Sequence, residues 1–193
     1  MKKAIIFDLN GVFIVSPKLS ERFEQDFNVP LNDFLPALKE IMDKVRQPNA
    51  DSLYSLWKPY FDKWNVNLTE EEFLNYCFSV EKENTELTDL ARRLKDKGVL
   101  IIILSNNFRE RAGYYDENFP FLKEIFNGVY YSWQTGFVKP DVKAFENILE
   151  KHSLKPEDVL YFDDSDKNIE LAKSIGIEAY TFDDKAVELL KSL

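Results

Sequence analysis

Cysteine is nearly absent from this chain, since Cys77 is the only one among 193 residues. A single thiol can form neither an internal disulfide nor a thiolate zinc cluster, which excludes both devices for stabilising the fold. Low cysteine usage is typical of proteins in reducing compartments, and we expect a cytoplasmic protein. Histidine is equally rare, and the one present, His152, lies at the end of a predicted helix and carries no catalytic signal.

Basic residues are in deficit, with 25 Lys and Arg against 34 Asp and Glu and a formal charge of -9. Nucleic-acid phosphates require a basic face, so nucleic acid is not the expected partner. No stretch approaches 18 apolar residues, and the N-terminal apolar run is too short for a signal peptide, so we expect no contact with a membrane. With 45% hydrophobic residues, the chain can form a sizeable core.

Three short apolar runs lie far apart in the sequence, at 4–7, 99–104 and 159–162. Uniformly apolar runs of this length are typical of strands buried on both faces, as in a parallel sheet. Weaker strand candidates cover 128–131 and 177–181. Because amphipathic helical patterns separate the runs, the sequence predicts an α/β fold with a doubly wound, mostly parallel sheet.

Residues 15–85 interrupt this alternation. They contain no clear strand, and their apolar residues recur at helical spacing, which predicts about four helices. One helical stripe includes Pro36, which we expect in the first turn of its helix, where proline is tolerated. The sequence thus predicts a core formed by 1–14 and 86–193, with a helical insertion at 15–85.

Polar residues follow the three predicted strands directly: Asp8 follows the first, Ser105-Asn106 the second, and Asp163-Asp164 the third. In open α/β sheets, ligands bind outside the carboxyl ends of the strands. Carboxylates gathered there are unfavourable unless a cation compensates them, and oxygen ligands of this kind suit Mg²⁺. A bare acidic site would repel a phosphate ester, and Lys139, in the turn 136–141, is the best candidate to reverse that field.

Four segments, taken in order, resemble the motifs of the haloacid dehalogenase-like hydrolases. They are Asp8-Leu9-Asn10-Gly11-Val12, Ser105-Asn106-Asn107, Lys139-Pro140 and Asp163-Asp164. The resemblance covers essentially the whole chain and implies a Rossmann-like core, with the insertion at 15–85 as the helical cap of that superfamily. Residues 104–107 and 136–176 most resemble a branch that contains bacterial sugar-phosphate phosphatases and the N-terminal phosphatase domain of soluble epoxide hydrolase.

The resemblance also implies a covalent mechanism and a metal site. Asp8 would attack phosphorus and form an aspartyl-phosphate, which water then hydrolyses. Mg²⁺ would be held by the Asp8 carboxylate, the backbone carbonyl of Asn10 and Asp164, with Asp163 as a supporting or supplementary ligand.

Three further positions would bind the transferring phosphoryl oxygens. By resemblance, these are the Ser105 hydroxyl, the Asn106 backbone N–H and Lys139, whose effect is largest on charge that develops in the transition state. The implied partner is a small phosphorylated metabolite, most simply a sugar phosphate. We expect a monomer.

Asn10 departs from the pattern, because phosphatases of this superfamily usually place a second aspartate there as the general acid and base. An amide donates a hydrogen bond but cannot shuttle a proton. Three explanations stay open: a natural asparagine with slow or differently assisted chemistry, an engineered Asp→Asn change that traps a substrate complex, or a protein that binds a phosphorylated ligand without turnover.

Two other interpretations have specific arguments against them. A phospho-receiver domain would place its acidic pair after the first strand, whereas Asp163-Asp164 comes late, and it would have no counterpart of the helical insertion. A 2-haloacid dehalogenase would need no metal-binding pair of acids, so Asp164 argues against it. The sequence therefore favours a Mg²⁺-dependent phosphatase, with a catalytically weak or inactive phosphate-binding protein as the alternative.

Overall fold

A computed structural model describes residues 2–193 of the chain. Its seven strands are β1 (Ala4–Phe7), β2 (Ile14–Val15), β3 (Lys82–Glu83), β4 (Leu100–Ser105), β5 (Gly128–Tyr131), β6 (Val159–Asp163) and β7 (Glu178–Thr181). Five of them form one sheet in the order β5-β4-β1-β6-β7, and every neighbouring pair in it is parallel. The predicted sheet strands are thus confirmed, with ends that differ by one residue at most.

The register of the central strands places their polar ends side by side. Phe7, the last residue of β1, pairs with Ile103 on β4 and with Phe162 on β6. The next residue after Phe7 is Asp8, and the next after Phe162 is Asp163, so these two carboxylates leave the sheet at the same level.

Eleven α-helices connect and cover the strands. They are α1 (Leu19–Phe27), α2 (Leu31–Val45), α3 (Leu53–Trp64), α4 (Glu70–Phe78), α5 (Thr85–Asp96), α6 (Arg109–Asn118), α7 (Phe121–Ile125), α8 (Ser132–Thr135), α9 (Val142–Lys151), α10 (Asp166–Ser174) and α11 (Asp184–Lys191). Alternate residues of β1 point to opposite faces of the sheet. Ile5 packs with Leu90 of α5 in one apolar cluster, and Ile6 packs with Phe145 of α9 in another. Helices therefore cover both faces, and the predicted doubly wound α/β fold is confirmed.

Helices α1 to α4 lie between β1 and β4 and share a third apolar cluster of their own. Its centre is aromatic, with Trp57 stacked on Phe61 at 5.8 Å between ring centroids and Phe34 at 5.0 Å from Trp57. A capping box begins α4, since the side chains of Thr69 and Glu72 bond each other's backbone N–H groups.

Two expectations for this segment are wrong. Residues 14–15 and 82–83 pair as an antiparallel ribbon, although no strand was predicted between 15 and 85. Pro36 lies in the second turn of α2, because the helix begins at Leu31, directly after Pro30. Pro36 has no N–H group to donate to the carbonyl of Asn32, one helical turn earlier. Both residues are exposed, so solvent can satisfy that carbonyl.

Across residues 2–193, none of the helices combines the length and the hydrophobicity that a bilayer-spanning helix requires.

Candidate active site

Three carboxylates meet at the carboxyl edge of the sheet. Asp8 directly follows β1, Asp163 ends β6, and Asp164 comes one residue later. One carboxylate oxygen from each lies within 4.8 Å of the others. This spacing would suit a shared cation, and it results directly from the parallel register of β1 and β6.

Lys139 inserts its ammonium group among these acids. Its Nζ lies 3.0 Å from Asp8 Oδ1, 2.6 Å from Asp163 Oδ2 and 3.1 Å from the Tyr161 hydroxyl oxygen. The side chain of Lys139 is only 1% exposed. A buried lysine of this kind requires the pairing that two carboxylates supply.

Asn106 fixes the backbone that carries this lysine. The Asn106 amide nitrogen donates to the Lys139 carbonyl at 2.7 Å, and the Lys139 N–H donates to the Asn106 side-chain oxygen at 2.7 Å. This reciprocal pair joins the end of β4 to the loop before α9. The Asn106 side chain therefore holds the lysine loop in place.

The two acids at the end of β6 have different surroundings. Asp163 is fully buried, and its oxygens accept hydrogen bonds from Asn168, the Ser165 backbone N–H and the Tyr161 hydroxyl. The Asp164 carboxyl lies against Gly11, where a Cβ atom would overlap its Oδ2 atom. Gly11 has φ +83°, so glycine suits this position in both backbone conformation and space.

The electrostatics of the cluster favour a bound cation. Burial raises the pKa of Asp8, repulsion from Asp163 adds to the increase, and the attraction of Lys139 opposes it. Burial and repulsion from Asp8 and Asp163 raise the pKa of Asp164 to about 6. For Lys139, burial disfavours the charge, but Asp8 and Asp163 outweigh it and the pKa is raised. Three carboxylates around one ammonium group leave two excess negative charges when all are ionised, which a divalent cation would neutralise.

Asn10 lies beside the cluster and is tied to a helix. Its amide nitrogen donates to the Tyr115 hydroxyl oxygen at 2.6 Å, and the Ser105 hydroxyl lies 3.5 Å from its amide oxygen. Tyr115 belongs to α6 and is fully buried. These contacts direct the amide N–H toward the protein interior.

A cavity of about 370 Å³ opens over these groups, and we call it the catalytic cavity. Of the predicted site residues, its wall contains Asp8, Asn10, Asn106, Lys139, Asp163 and Asp164. Ser105 is 1% exposed and does not belong to this wall. The structure thus brings six of the seven predicted residues to one cavity and places the seventh beneath it.

Several site residues were not anticipated from the sequence. Tyr161 precedes Asp163 by two positions on β6, so a strand period of two could have placed it on the same face. Asn168, in the first turn of α10, had no comparable signal. Neither did Arg46, at the end of α2, or Arg111, in α6, which both line the catalytic cavity.

A family model described as haloacid dehalogenase-like hydrolase matches residues 2–176. The chain belongs to the haloacid dehalogenase-like hydrolases. The predicted resemblance is confirmed, and membership of this family excludes the phospho-receiver interpretation.

Curated relatives of this hydrolase include phosphatases and larger proteins. It is 26% identical to acyl-CoA dehydrogenase family member 10 of Mus musculus over 99% of this chain and 19% of that protein. It is 25% identical to bifunctional epoxide hydrolase 2 of Mus musculus over 89% of this chain and 34% of that protein. It is 25% identical to a phosphorylated carbohydrates phosphatase of Thermotoga maritima over 91% of this chain and 82% of that protein. The chain thus spans about a fifth to a third of the first curated relatives it matches.

One solved structure shares the fold of this chain over nearly its whole length. A HAD family enzyme from Bacteroides thetaiotaomicron, in complex with magnesium and inorganic phosphate, has a TM-score of 0.80 and 19% identity, with 97% of this chain and 99% of that chain covered. At 19% identity, this similarity establishes the fold of the chain alone.

Proposed function

We propose that this hydrolase is a Mg²⁺-dependent phosphatase that acts on a small phosphomonoester through an aspartyl-phosphate on Asp8. The observation that carries the proposal is the close packing of Asp8, Asp163 and Asp164 around the ammonium group of Lys139. This arrangement combines a nucleophile, a cation site and a fixed positive charge within one cavity. The Mg²⁺-bound relative with the same fold supports the choice of metal.

The acidic cluster fits a magnesium ion by its donor chemistry. Asp8, the Asn10 backbone carbonyl and Asp164 would hold the ion, and Asp163 would support them from its hydrogen-bonded position. The bound ion would neutralise charge on the phosphoryl oxygens and on the acids around it. The raised pKa of Asp164 agrees with this assignment, because burial and the negative charges of Asp8 and Asp163 outweigh the attraction of Lys139.

Asp8 is placed to attack phosphorus. Lys139 contacts Oδ1 of Asp8 at 3.0 Å, which holds the carboxylate in one orientation and leaves Oδ2 for the phosphoryl group. Attack forms the Asp8–phosphorus bond and breaks the bond from phosphorus to the leaving alcohol oxygen. Attack by water on phosphorus then releases inorganic phosphate and restores the Asp8 carboxylate.

Lys139 and the Asn106 backbone N–H would bind the transferring phosphoryl oxygens. Both lie on the wall of the catalytic cavity, and the reciprocal bonds between them fix their separation. The predicted third donor, the Ser105 hydroxyl, lies beneath the wall next to Asn10, so reaching a phosphoryl oxygen would require rotation of its side chain.

Asn10 makes the proton transfers the slow part of this mechanism. Its amide can neither protonate the leaving alcohol nor deprotonate water, and its N–H donates to Tyr115. Loss of a general acid and base slows catalysis by roughly 10²–10⁴-fold. The proposal therefore includes slow turnover, and a phosphate-binding protein without turnover is the second candidate that this residue favours.

The predicted sugar-phosphate substrate is part of the proposal. The likeness to the Thermotoga maritima phosphatase of phosphorylated carbohydrates supports it.

Phosphate release from a panel of sugar, alkyl and aryl phosphates, with and without Mg²⁺, tests the function. We expect slow release that requires Mg²⁺, whereas tight binding of phosphate esters without release would favour the second candidate.

A further inference from the structure

Two arginines that belong to none of the family motifs line the catalytic cavity. Arg46 directly follows α2 in the helical insertion, and Arg111 is the third residue of α6 in the α/β core. Both are partly buried, and both also line a second cavity of about 310 Å³. The guanidinium groups therefore stand at the boundary between the two cavities.

The positive charge of this pair is only partly compensated. Arg111 pairs with Glu81, whose side chain is 3% exposed. Arg46 has no ion pair within residues 2–193, and its buried Nε atom has no hydrogen-bond partner there. Asp8 and Asp43 attract the charge of Arg46, but neither pairs with it, since Asp8 pairs with Lys139 and the exposed Asp43 pairs with Lys39. Burial and repulsion from Arg111 lower the pKa of Arg46.

The guanidinium group of Arg46 thus has no anionic partner among residues 2–193, and an anion bound beside it would be stabilised. Arginine binds carboxylate and phosphate oxygens through paired N–H groups, and partial burial strengthens such bonds. The transferring phosphoryl group already has Lys139 and the metal site. Because both arginines also line a second cavity, they are placed to meet a part of the substrate beyond the phosphoryl group.

The second cavity, which we call the insertion cavity, has mostly apolar walls. They include Leu38, Met42, Leu53, Trp57, Phe78 and Phe108. Such walls accept a carbon skeleton, and Ser16, Lys18, Arg22 and Glu81 add polar groups to the same cavity.

We infer that Arg46 and Arg111 bind a second anionic group of the substrate, whose carbon skeleton lies against the insertion cavity. This inference rests on the proposed function and narrows it. The substrate class is a phosphomonoester that also carries a carboxylate or a further phosphate group. The insertion and the core each supply one arginine, so the anion site is complete only when both are in place.

Non-hydrolysable ligands test the inference without turnover. Calorimetry in the presence of Mg²⁺ would compare 4-phosphonobutanoate with 4-phosphonobutanamide, which differ by one negative charge at the far end. We expect the wild-type protein to bind the carboxylate about tenfold more tightly than the amide, the size of one good charge-assisted contact. Equal affinities, or no binding of either compound, would overturn the inference.

Arg46→Gln is the decisive variant, because it leaves the Arg111–Glu81 pair intact. We expect the preference for the carboxylate to fall to within about twofold, and Arg46→Lys to restore part of it. Arg109→Gln is the matched control, since Arg109 lies on the same helix as Arg111 but stands 5.8 Å over the Trp133 ring. It should keep the full preference.

Two results would contradict the role of Arg46. A preference that survives Arg46→Gln would place the second anion elsewhere, and an equal loss of affinity for both compounds would place the arginine on the phosphoryl group. Phosphate release by the same wild-type protein from the panel of sugar, alkyl and aryl phosphates separates this inference from the proposed function. Carboxylate preference without any hydrolysis would refute the phosphatase, whereas hydrolysis without the preference would refute the second anion site.

Discussion

The sheet edge and the helical insertion are organised by different interactions. At the sheet edge, Lys139, Asp8 and Asp163 form a charged network that is almost closed to solvent. In the insertion, helices α1 to α4 are held by an aromatic cluster around Trp57 and Phe61. The charged side chains lie at strand ends and in the loop of Lys139, where short ion pairs hold them, whereas the insertion is held together by apolar packing. The proposed chemistry lies at the sheet edge, and the proposed second anion site takes one arginine from the insertion and one from the core.

The largest effect should follow from removing the nucleophile at the sheet edge. Asp8→Asn keeps the shape of the side chain, and Lys139 keeps Asp163 as a partner, so the protein should fold normally. Turnover should fall by several orders of magnitude, roughly 10⁶-fold in other covalent hydrolases. Steady-state phosphate release measures this, with circular dichroism as the control for folding. Activity comparable with the wild type would refute the covalent mechanism.

Asn10→Asp should act in the opposite direction. The new carboxyl group can protonate the leaving alcohol and activate water, so turnover should rise by roughly 10²–10⁴-fold near neutral pH. Alkyl phosphates should gain more than aryl phosphates, because their leaving groups need the proton more. No gain with an alkyl phosphate would mean that another residue supplies the proton. Peptide mapping should accompany the kinetics, since Asn10-Gly11 is prone to deamidation.

Truncation of a buried side chain in the insertion should lower the stability of the protein and leave its metal site unchanged. Phe61→Ala removes a ring that is 1% exposed and stacked on Trp57, and should lower the free energy of unfolding by about 3–5 kcal/mol. The half-buried Tyr60 is the matched control, and Tyr60→Ala should cost much less. Denaturant titration measures both, and Mg²⁺ affinity of the folded Phe61→Ala protein should stay unchanged. A large loss of Mg²⁺ affinity would break the division between the two regions.

The two acids at the end of β6 should separate metal binding from folding. Asp164→Ala should weaken Mg²⁺ binding more than Asp163→Ala does, because Asp164 is the proposed direct ligand. Asp163→Ala leaves a buried lysine with one partner and should lower stability by roughly 3–5 kcal/mol. Calorimetric Mg²⁺ titrations and denaturant curves of both variants test the pair. Equal losses of Mg²⁺ affinity would contradict the assignment.

The smallest expected effect concerns pH. The pKa of Asp164 is raised to about 6 in the folded protein, so the folded state binds more protons than the unfolded state between about pH 4 and 6. The metal-free protein should therefore lose stability as the pH rises through this range. Mg²⁺ competes with the proton, so its affinity should fall below about pH 6. Thermal unfolding and Mg²⁺ titration across this range check both signs, and Asp164→Asn should abolish the contribution.

Much of the sheet edge could be predicted because it depends on local patterns. Uniform apolar runs located β1, β4 and β6, and the residue after each run fell at the carboxyl edge by topology alone. The two-residue strands β2 and β3 are too short to show any periodicity, so they were missed. Pro36 was misplaced because α2 begins at Leu31, directly after Pro30 and five residues before Pro36.

Sites formed by packing between distant elements could not be predicted. Arg46 and Arg111 line the same two cavities only because the fold brings the end of α2 and the start of α6 to them, and neither helix has a local signal for that arrangement. The hydrogen bond from Asn10 to Tyr115 has the same origin. The sequence therefore predicts the regular geometry of parallel strands better than the surface that the insertion presents to them.

The most direct test of the account is to look for phosphate on Asp8. Acid quenching during turnover of an aryl phosphate with Mg²⁺, followed by peptide mass spectrometry, would detect an aspartyl-phosphate. Because Asn10 cannot activate water, hydrolysis of this intermediate should be slow, and the peptide that contains Asp8 should carry one phosphoryl group in the wild type and none in Asp8→Asn. Steady release of phosphate with an unmodified Asp8 peptide, or with the phosphoryl group on another residue, would contradict the account.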